Sequence, residues 1–326
     1  MIVTLTPNPS LDRTVEVGEL TRGAVLRVRS SHVEPGGKGV NIARALARHG
    51  VRTTAVLPSG GPEGAQLETL LLGEGIEPVL VPVHGTVRSN ISLVEPGGTV
   101  TKLNEPGPTL SPVEVKALET AAAEVAEHAT WLALSGSLPP GVPDDFYADL
   151  IDDLRGREVR VAVDTSGVPL TASLVARPDV IKPNLEELAE VTGREIVTLG
   201  DAVAAAELLR THGAVAVLVS LGPDGAVLVD ADGAVHGEAP VPVRRSTVGA
   251  GDALLAGFLS ASSGLSAGGI GATARAEALA EALAWGAAAI CLPGSQMPGP
   301  YDLDRTAVRI SPYVDSGRAL TRQDAP

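Results

Sequence analysis

The sequence predicts an α/β protein: a doubly wound, mostly parallel sheet with helices on both faces, and a small second β-sheet beside it. Three observations carry this reading. Short apolar runs rich in β-branched residues alternate along the chain with segments of helical period, the pattern of βα units that cover a parallel sheet on both sides. Residues 14–33 and 87–104 instead alternate apolar and polar side chains at period two, as half-buried strands of an exposed sheet do. Hydrophobic residues make up 44% of the chain and aromatics only 2%, so the core is large and built from Ala, Val and Leu.

In order along the chain, IVTLT (2–6) reads as a buried strand. In VNIARALARH (40–49) the apolar residues fall at helical spacing, and the run ends at Gly50. TTAVL (53–57) is a strand, and PEGAQLETLLLGEG (62–75) and VEVKALETAAAEVAEHA (113–129) are helices. WLALSG (131–136), VRVAVD (159–164), DVIKPN (179–184) and AVAVLVS (214–220) read as parallel strands ending in polar loops. DAVAAAELLRTHG (201–213) is one of the helices between them. The two period-two segments, the second with a turn at Gly97-Gly98, are grouped as a β-lid on a single domain spanning 1–312. Residues 313–326 form a polar C-terminal tail, expected to fray.

The formal net charge of -14 argues against a nucleic-acid or anionic-membrane partner, since either needs a basic field. It leaves room for an anionic metabolite where a few Arg and Lys converge. The one cysteine, Cys291, excludes an internal disulfide framework and fits a reducing cytoplasm. MIVTLTPNPSLDRT has no basic n-region and no apolar run reaches the ~18 residues needed to span a bilayer. The expectation is a soluble cytoplasmic protein. The lack of a Cys/His cluster speaks against structural zinc.

Two stretches stand out for chemistry. In 243-VRRSTVGAGDALLAGF-258, Gly249, Ala250 and Gly251 precede Asp252 at the start of an apolar helical pattern. Free N–H groups and the dipole of a helix N-terminus attract anions, and tiny residues allow close approach. Thr247 is placed to orient the loop. The plain alternative is a glycine-rich turn with Asp252 as N-cap. The stretch is not a Walker A loop, because no Lys-Ser/Thr follows the glycines. A dinucleotide fingerprint is also absent, and the near-match 269-GIGATA-274 follows no strand. The second stretch, 34-EPGGKGVNIARALARHG-50, opens another helix with Gly36, Gly37 and Gly39, and carries Lys38 and Asn41 at its mouth. In open α/β sheets ligands bind beyond the carboxyl ends of the strands, where Asp12, Ser137 and Asn184 would gather with these mouths.

Together these motifs resemble the ribokinase-like sugar kinases of the phosphofructokinase-B family. EPGGKGVNIARAL is similar to the family's first signature and STVGAGDALLAGF to its second. TPNPSLDRT, TKLNEPGP, SGSLPPGV, IKPNLEEL and VSLGPDGA extend the resemblance over nearly the whole chain. TPNPSLDRT and TKLNEPGP are most similar to the 1-phosphofructokinase subfamily, followed by tagatose-6-phosphate kinases and minor 6-phosphofructokinases. Ser246 stands where many ribokinase relatives carry Asp, a departure that suits phosphosugar kinases better than a simple ribokinase.

The resemblance implies a ribokinase-like fold and ATP-dependent phosphorylation of a ketohexose monophosphate, fructose 1-phosphate to fructose 1,6-bisphosphate. Tagatose 6-phosphate and fructose 6-phosphate are the alternative acceptors. It implies that Asp252 is the general base, in an anion hole formed by Gly249, Ala250 and Gly251. The helix terminus should lower the Asp252 pKa, making orientation its larger contribution. Asp12, Gly37, Lys38, Asn41 and Ser137 would bind the sugar phosphate, with Arg27 and Arg88 on the lid, Arg88 being the stronger candidate. Lys102 reads as lid-surface charge. ATP would lie against Ser220, Gly222 and Gly225, with Lys182, Asn184, Thr247 and Gly251. Asn184 and Glu187 would position Mg²⁺ through water, or complete a capping box, or both. SLGPDG also reads as a plain hairpin turn. A non-catalytic sugar-phosphate sensor need not keep a base such as Asp252. A nicotinamide oxidoreductase would need the missing fingerprint. The lid edge invites pairing as a homodimer.

Overall fold

The computed structural model describes residues 1–97, 99–264, 272–311 and 313–321. Gly98 of the expected lid turn and residues 269–271 of the GIGATA near-match lie outside them. The first half of the chain runs β1 (Ile2–Leu5), β2 (Ser10–Glu16), β3 (Ser30–Gly36), α1 (Lys38–Arg48), β4 (Thr53–Ser59), α2 (Gly61–Gly73), β5 (Val79–Pro82), β6 (Arg88–Val94) and β7 (Val100–Leu103). It continues with α3 (Pro112–Ala126), β8 (Trp131–Ser135), α4 (Phe146–Asp153), β9 (Arg160–Asp164), α5 (Gly167–Val175), β10 (Val180–Ile181), α6 (Leu185–Thr192), α7 (Leu199–Thr211) and β11 (Ala216–Ser220). The last part holds β12 (Ala226–Asp230), β13 (Gly233–Glu238), α8 (Ala250–Ser262), α9 (Ala272–Ile290) and β14 (Arg309–Ser311).

The main sheet has the order β14-β13-β12-β11-β10-β9-β8-β1-β4-β5. From β5 to β11 every pairing is parallel, while β12, β13 and β14 extend the sheet antiparallel. The parallel strands are buried on both faces, which is why they read as unbroken apolar runs. Alternate residues feed separate hydrophobic clusters on the two faces. Val3, Leu5, Leu132 and Leu134 pack on one face with residues of α3, α4, α5 and α7. Ile2, Trp131 and Ala133 pack on the other with α1, α8 and α9.

The small sheet has the order β3-β2-β6-β7. Its first period-two segment is strand only at its ends. Gly18 and Gly23 lie in the connection between β2 and β3, where the chain turns out of the ladder. The pairing of β2 with β6 sets Asp12 opposite Asn90 and Ser10 opposite Arg88.

The tail departs from the expected fraying between residues 313 and 321. Leu199 N donates to Arg318 O and Leu320 N to Val197 O, both at 2.9 Å, and Val314 and Leu320 pack against the core. The segment is polar yet ordered, because it supplies acceptors to the free amides that open α7. Among the described residues, no helix is long and apolar enough to cross a membrane.

Candidate active site

The two glycine-lined helix mouths meet. Asn41, in the first turns of α1, donates from Nδ2 to Asp252 Oδ2 of α8 at 2.8 Å. Both residues are buried. Asp252 is not the N-cap of α8. That position belongs to Gly249, whose φ of 77° is left-handed and suits glycine. With no capping bond to make, the carboxylate is left for Asn41 and for whatever enters the mouth. The first amides of α8 lack intrahelical acceptors by geometry, and Asp252 lies in that same first turn.

The charge environment reverses one expectation. Burial, and then the neighbouring Asp164 carboxylate, push the Asp252 pKa up from 3.8 to about 6, against the opposing pull of Lys38, Asn41 and Lys182. The helix terminus was expected to lower it. Desolvation of a carboxylate only 7% exposed outweighs a dipole worth about 0.3–1 kcal/mol.

In the sequence Asp164 reads only as the polar end of a strand. It closes β9, is wholly buried, and accepts from Lys38 Nζ at 2.8 Å, with Lys182 Nζ at 3.3 Å from the same oxygen. Burial alone would raise its pKa, but Lys182 and Lys38 hold it below 3.8. The other oxygen, Oδ2, is buried with no partner. Lys38 reaches this acid from α1 and lies 3.5 Å from Glu187 Oε1. Burial works against its ammonium, yet Asp164, Glu187 and Asp252 keep its pKa above the ordinary lysine value. A Cβ at Gly251 would stand 3.3 Å from Lys182 Nζ, so the small residue keeps that lysine against the mouth of α8.

On the small-sheet side, Asp12 Oδ1 accepts from Ser10 Oγ at 2.7 Å and from Asn90 Nδ2 at 3.0 Å. Arg88 donates from Nη1 to Glu105 O and from Nη2 to Asn8 O, while its Nε is buried without a partner. Burial lowers its pKa, opposed by Asp12 and Glu105. Asn8 Nδ2 reaches Pro106 O at 3.1 Å and Ser137 Oγ at 3.3 Å. TPNPSLDRT therefore touches both TKLNEPGP and SGSLPPGV. Gly37 caps α1 with a φ of 110°. Arg27 lies exposed in the connection between β2 and β3 and is not brought to these residues by any hydrogen bond among the described residues. Lys102 pairs in β7 opposite Ser92 and is exposed, a surface charge.

Along the other strand ends, Asn184 and Glu187 form a full capping box on α6: Asn184 Oδ1 accepts from Glu187 N at 2.8 Å, and Glu187 Oε2 from Asn184 N at 2.9 Å. Asn184 also bridges Ser220 at the end of β11. Gly222 and Gly225 shape the hairpin from β11 to β12, with φ of 62° and 83°. A Cβ at Gly225 would collide with Gly237 O, so the hairpin itself requires that glycine. Thr247 is exposed just ahead of α8, its carbonyl accepting from Ala250 N at 3.4 Å.

Besides Asp164, Asn90 and Arg44 also join the site. Asn90 steers Asp12. Arg44, buried in α1, donates from Nη1 to Asn41 Oδ1 at 3.3 Å, which turns the Asn41 amide nitrogen toward Asp252. The sequence held a weak signal for Arg44: a charged residue inside an otherwise apolar helix face.

A buried base near neutral pKa, two lysines on a shared acid and open helix amides can deprotonate a hydroxyl and hold an anion beside it. Similarity to known proteins agrees with that chemistry. A 1-phosphofructokinase of Rhodobacter capsulatus is 40% identical over 264 residues, covering 80% of this chain and 83% of its own. The ATP-dependent 6-phosphofructokinase isozyme 2 of Escherichia coli is 37% identical over 257 residues, 78% of this chain and 83% of its own. The crystal structure of Escherichia coli phosphofructokinase-2 superposes with a TM-score of 0.84 at 33% identity, covering 92% of this chain and 96% of its own. The ribokinase-like α/β fold expected from the motifs is the fold of this chain. Residues 6–300 match the description "pfkB family carbohydrate kinase", nearly the full span over which the strand ends and helix mouths build the site. The chain belongs to the pfkB family of carbohydrate kinases.

Proposed function

We propose that this protein is an ATP-dependent phosphosugar kinase that converts fructose 1-phosphate to fructose 1,6-bisphosphate. The observation that carries the reading is Asp252: a buried carboxylate with pKa near 6, hydrogen-bonded across two helix mouths. Asp252 takes the proton of the acceptor hydroxyl as its oxygen forms a bond to the γ-phosphorus of ATP. The bond to the bridging oxygen breaks, and ADP leaves with that electron pair. Amides of Gly249, Ala250 and Gly251 face the charge on the transferred group, where fixed donors act most strongly. Lys38 and Lys182, anchored by Asp164, add positive charge on the same side.

The residues present fit a sparse magnesium site. Asn184 Oδ1 and Glu187 Oε2 each accept one capping bond and keep a lone pair free, and Asp164 Oδ2 is a buried oxygen without a partner. Mg²⁺ takes few carboxylates and keeps its waters. Among the described residues no three-carboxylate or histidine cluster forms. Asp164 and Glu187 would hold the ion, which supplies charge neutralisation on the ATP phosphates. Ser220, Gly222 and Gly225, with Asn184 and Thr247, would line the nucleotide.

The phosphate of the sugar is assigned to the small-sheet side, to Arg88 with Asp12 and Asn41 reading hydroxyls. Arg88→Ala is expected to raise the KM for the phosphosugar about 10–150-fold, the worth of one charge-assisted hydrogen bond, with the KM for ATP nearly unchanged. Equal rises for both substrates would show a damaged lid instead. Arg27 is assigned to the substrate only if the connection between β2 and β3 folds over the bound sugar.

The assay that tests the function is ADP release across phosphosugars at fixed Mg-ATP. A misplaced phosphate leaves buried polar partners unpaired, and such mismatch discriminates by up to about 10⁴-fold. Fructose 1-phosphate is expected to lead fructose 6-phosphate and tagatose 6-phosphate in kcat/KM by at least about 10²-fold. A better 6-phosphate overturns the acceptor and leaves the kinase. No ADP release with any sugar overturns the kinase. The single half-buried Cys291 supports a cytoplasmic location. Val100 and Leu103, both exposed on β7, support pairing of two copies through the small sheets, which sedimentation reads directly.

A further inference from the structure

The segment after β14 is explained neither by the βα units nor by the family match, which ends at residue 300. It is nevertheless bound at both ends. Behind, its backbone pairs with the chain entering α7: Ala319 bridges Thr198, and Gly200 N donates to Ser316 O at 3.1 Å. Ahead, it grips the hairpin turn between β11 and β12. Thr321 N donates to Asp224 Oδ2 at 2.7 Å, and Thr321 Oγ1 to Asp224 Oδ1 at 3.2 Å. Arg318 Nη2 lies 3.4 Å from the same Oδ1 and also pairs with Glu238 of β13. From the other side, His236 Nε2 donates to Asp224 O at 2.9 Å. Asp224 is only 6% exposed, whereas Gly222 and Pro223 beside it face solvent. The one acid of the turn is thus fully engaged from behind, leaving the main chain of the turn as its outward surface.

We propose that residues 313–321 are a latch that fixes this turn in the shape that receives the nucleotide, making Arg318 and Thr321 positioning residues for ATP. The proposal rests on the placement of the nucleotide at Gly222 and Gly225. Without the latch, the Asp224 carboxylate loses three donors in a buried setting. A buried carboxyl group left without these donors must swing to water, and it carries the turn with it. The turn sits at the end of β11, whose Ser220 is bridged to Asn184, so the displacement falls on the nucleotide side and leaves Asp252 and the small sheet alone.

The test compares the full chain with Arg318→Ala, with the double variant Arg318→Ala and Thr321→Pro, which also removes the donating N–H, and with a chain ending at Ser311. The double variant is expected to raise the KM for ATP about 10-fold, a 1.4 kcal/mol effect. kcat and the KM for the phosphosugar should hold, the pattern of lost binding common to ground and transition states. Arg318→Lys should recover part of the loss. An unchanged ATP KM in a double variant that melts like the full chain overturns the latch, as does a parallel rise in both KM values. Gly222→Val, which strains a residue at φ 62°, checks the underlying placement. If it too leaves the ATP KM unchanged, the nucleotide lies elsewhere and the latch falls with that placement. If it raises the ATP KM while the double variant does not, the latch alone fails.

Discussion

Asp252→Asn is expected to lower kcat by about 10²–10⁴-fold, the usual worth of a general base, with the KM values for ATP and phosphosugar nearly unchanged. The amide has the same shape and can still accept from Asn41, so the site keeps its geometry and loses the proton acceptor. The same variant should be more stable than the parent at pH 8. In the folded protein the Asp252 pKa is raised from 3.8 to about 6, so its favourable, protonated contribution is complete below 3.8 and is lost as the pH rises through 6. Two pKa units correspond to about 3 kcal/mol, an upper bound on what the neutral amide recovers. Steady-state kinetics and urea unfolding at pH 8 read both effects. Turnover within a few-fold of the parent would make Asp252 a structural residue of α8.

Asp164→Ala should destabilise the fold by about 3–5 kcal/mol, the cost of stripping a buried ion pair of one partner. Lys182 is 4% exposed and has Asp164 as its paired acid, so its ammonium would be left uncompensated. The Asp164 pKa is lowered in the folded state. Its stabilisation is therefore present above the unfolded value of 3.8 and is lost only as the pH falls through the lower folded value. Urea titration at pH 7.5 measures the loss, and a difference below about 1 kcal/mol would mean that the desolvation of Asp164 offsets its two lysines. The variant should also lower the Asp252 pKa, since Asp164 is the second-largest influence raising it.

The helix mouths were legible because their information is local. Gly37, Lys38 and Asn41, like Gly249, Gly251 and Asp252, sit within a few residues of a helix start whose apolar period is plain. The parallel strands were legible because double burial leaves continuous apolar runs. Asp164 was not, since an acid closing a strand looks like any polar loop until Lys38 and Lys182 are folded onto it. The wrong direction for the Asp252 pKa has the same root: the dipole is a local property, whereas burial and Asp164 arrive from across the fold. The Ala-rich α9 and the short β5, β13 and β14 carry little periodic signal, and tertiary packing decides them. Arg27 and Arg88 are the same residue type in similar alternating sequence, yet β6 pairing draws Arg88 to Asn8 and Glu105 while Arg27 stays in a connection. The order of the tail is not legible, because backbone hydrogen bonds to α7 leave no mark in a polar sequence.

The claim that Asp252 is the proton acceptor is tested most directly by the pH dependence of single-turnover phosphoryl transfer in the parent and in Asn41→Ala. A phosphate monoester itself titrates near pH 6, so the parent profile alone does not separate enzyme from substrate. The Asn41 hydrogen bond lowers the Asp252 pKa, and removing it must move that ionisation upward while the substrate's stays in place. The account predicts that the rate is lost below pH 6 in the parent and that the acid limb shifts to higher pH in Asn41→Ala. Superimposable profiles, or a rate independent of pH between 5 and 8, would contradict it.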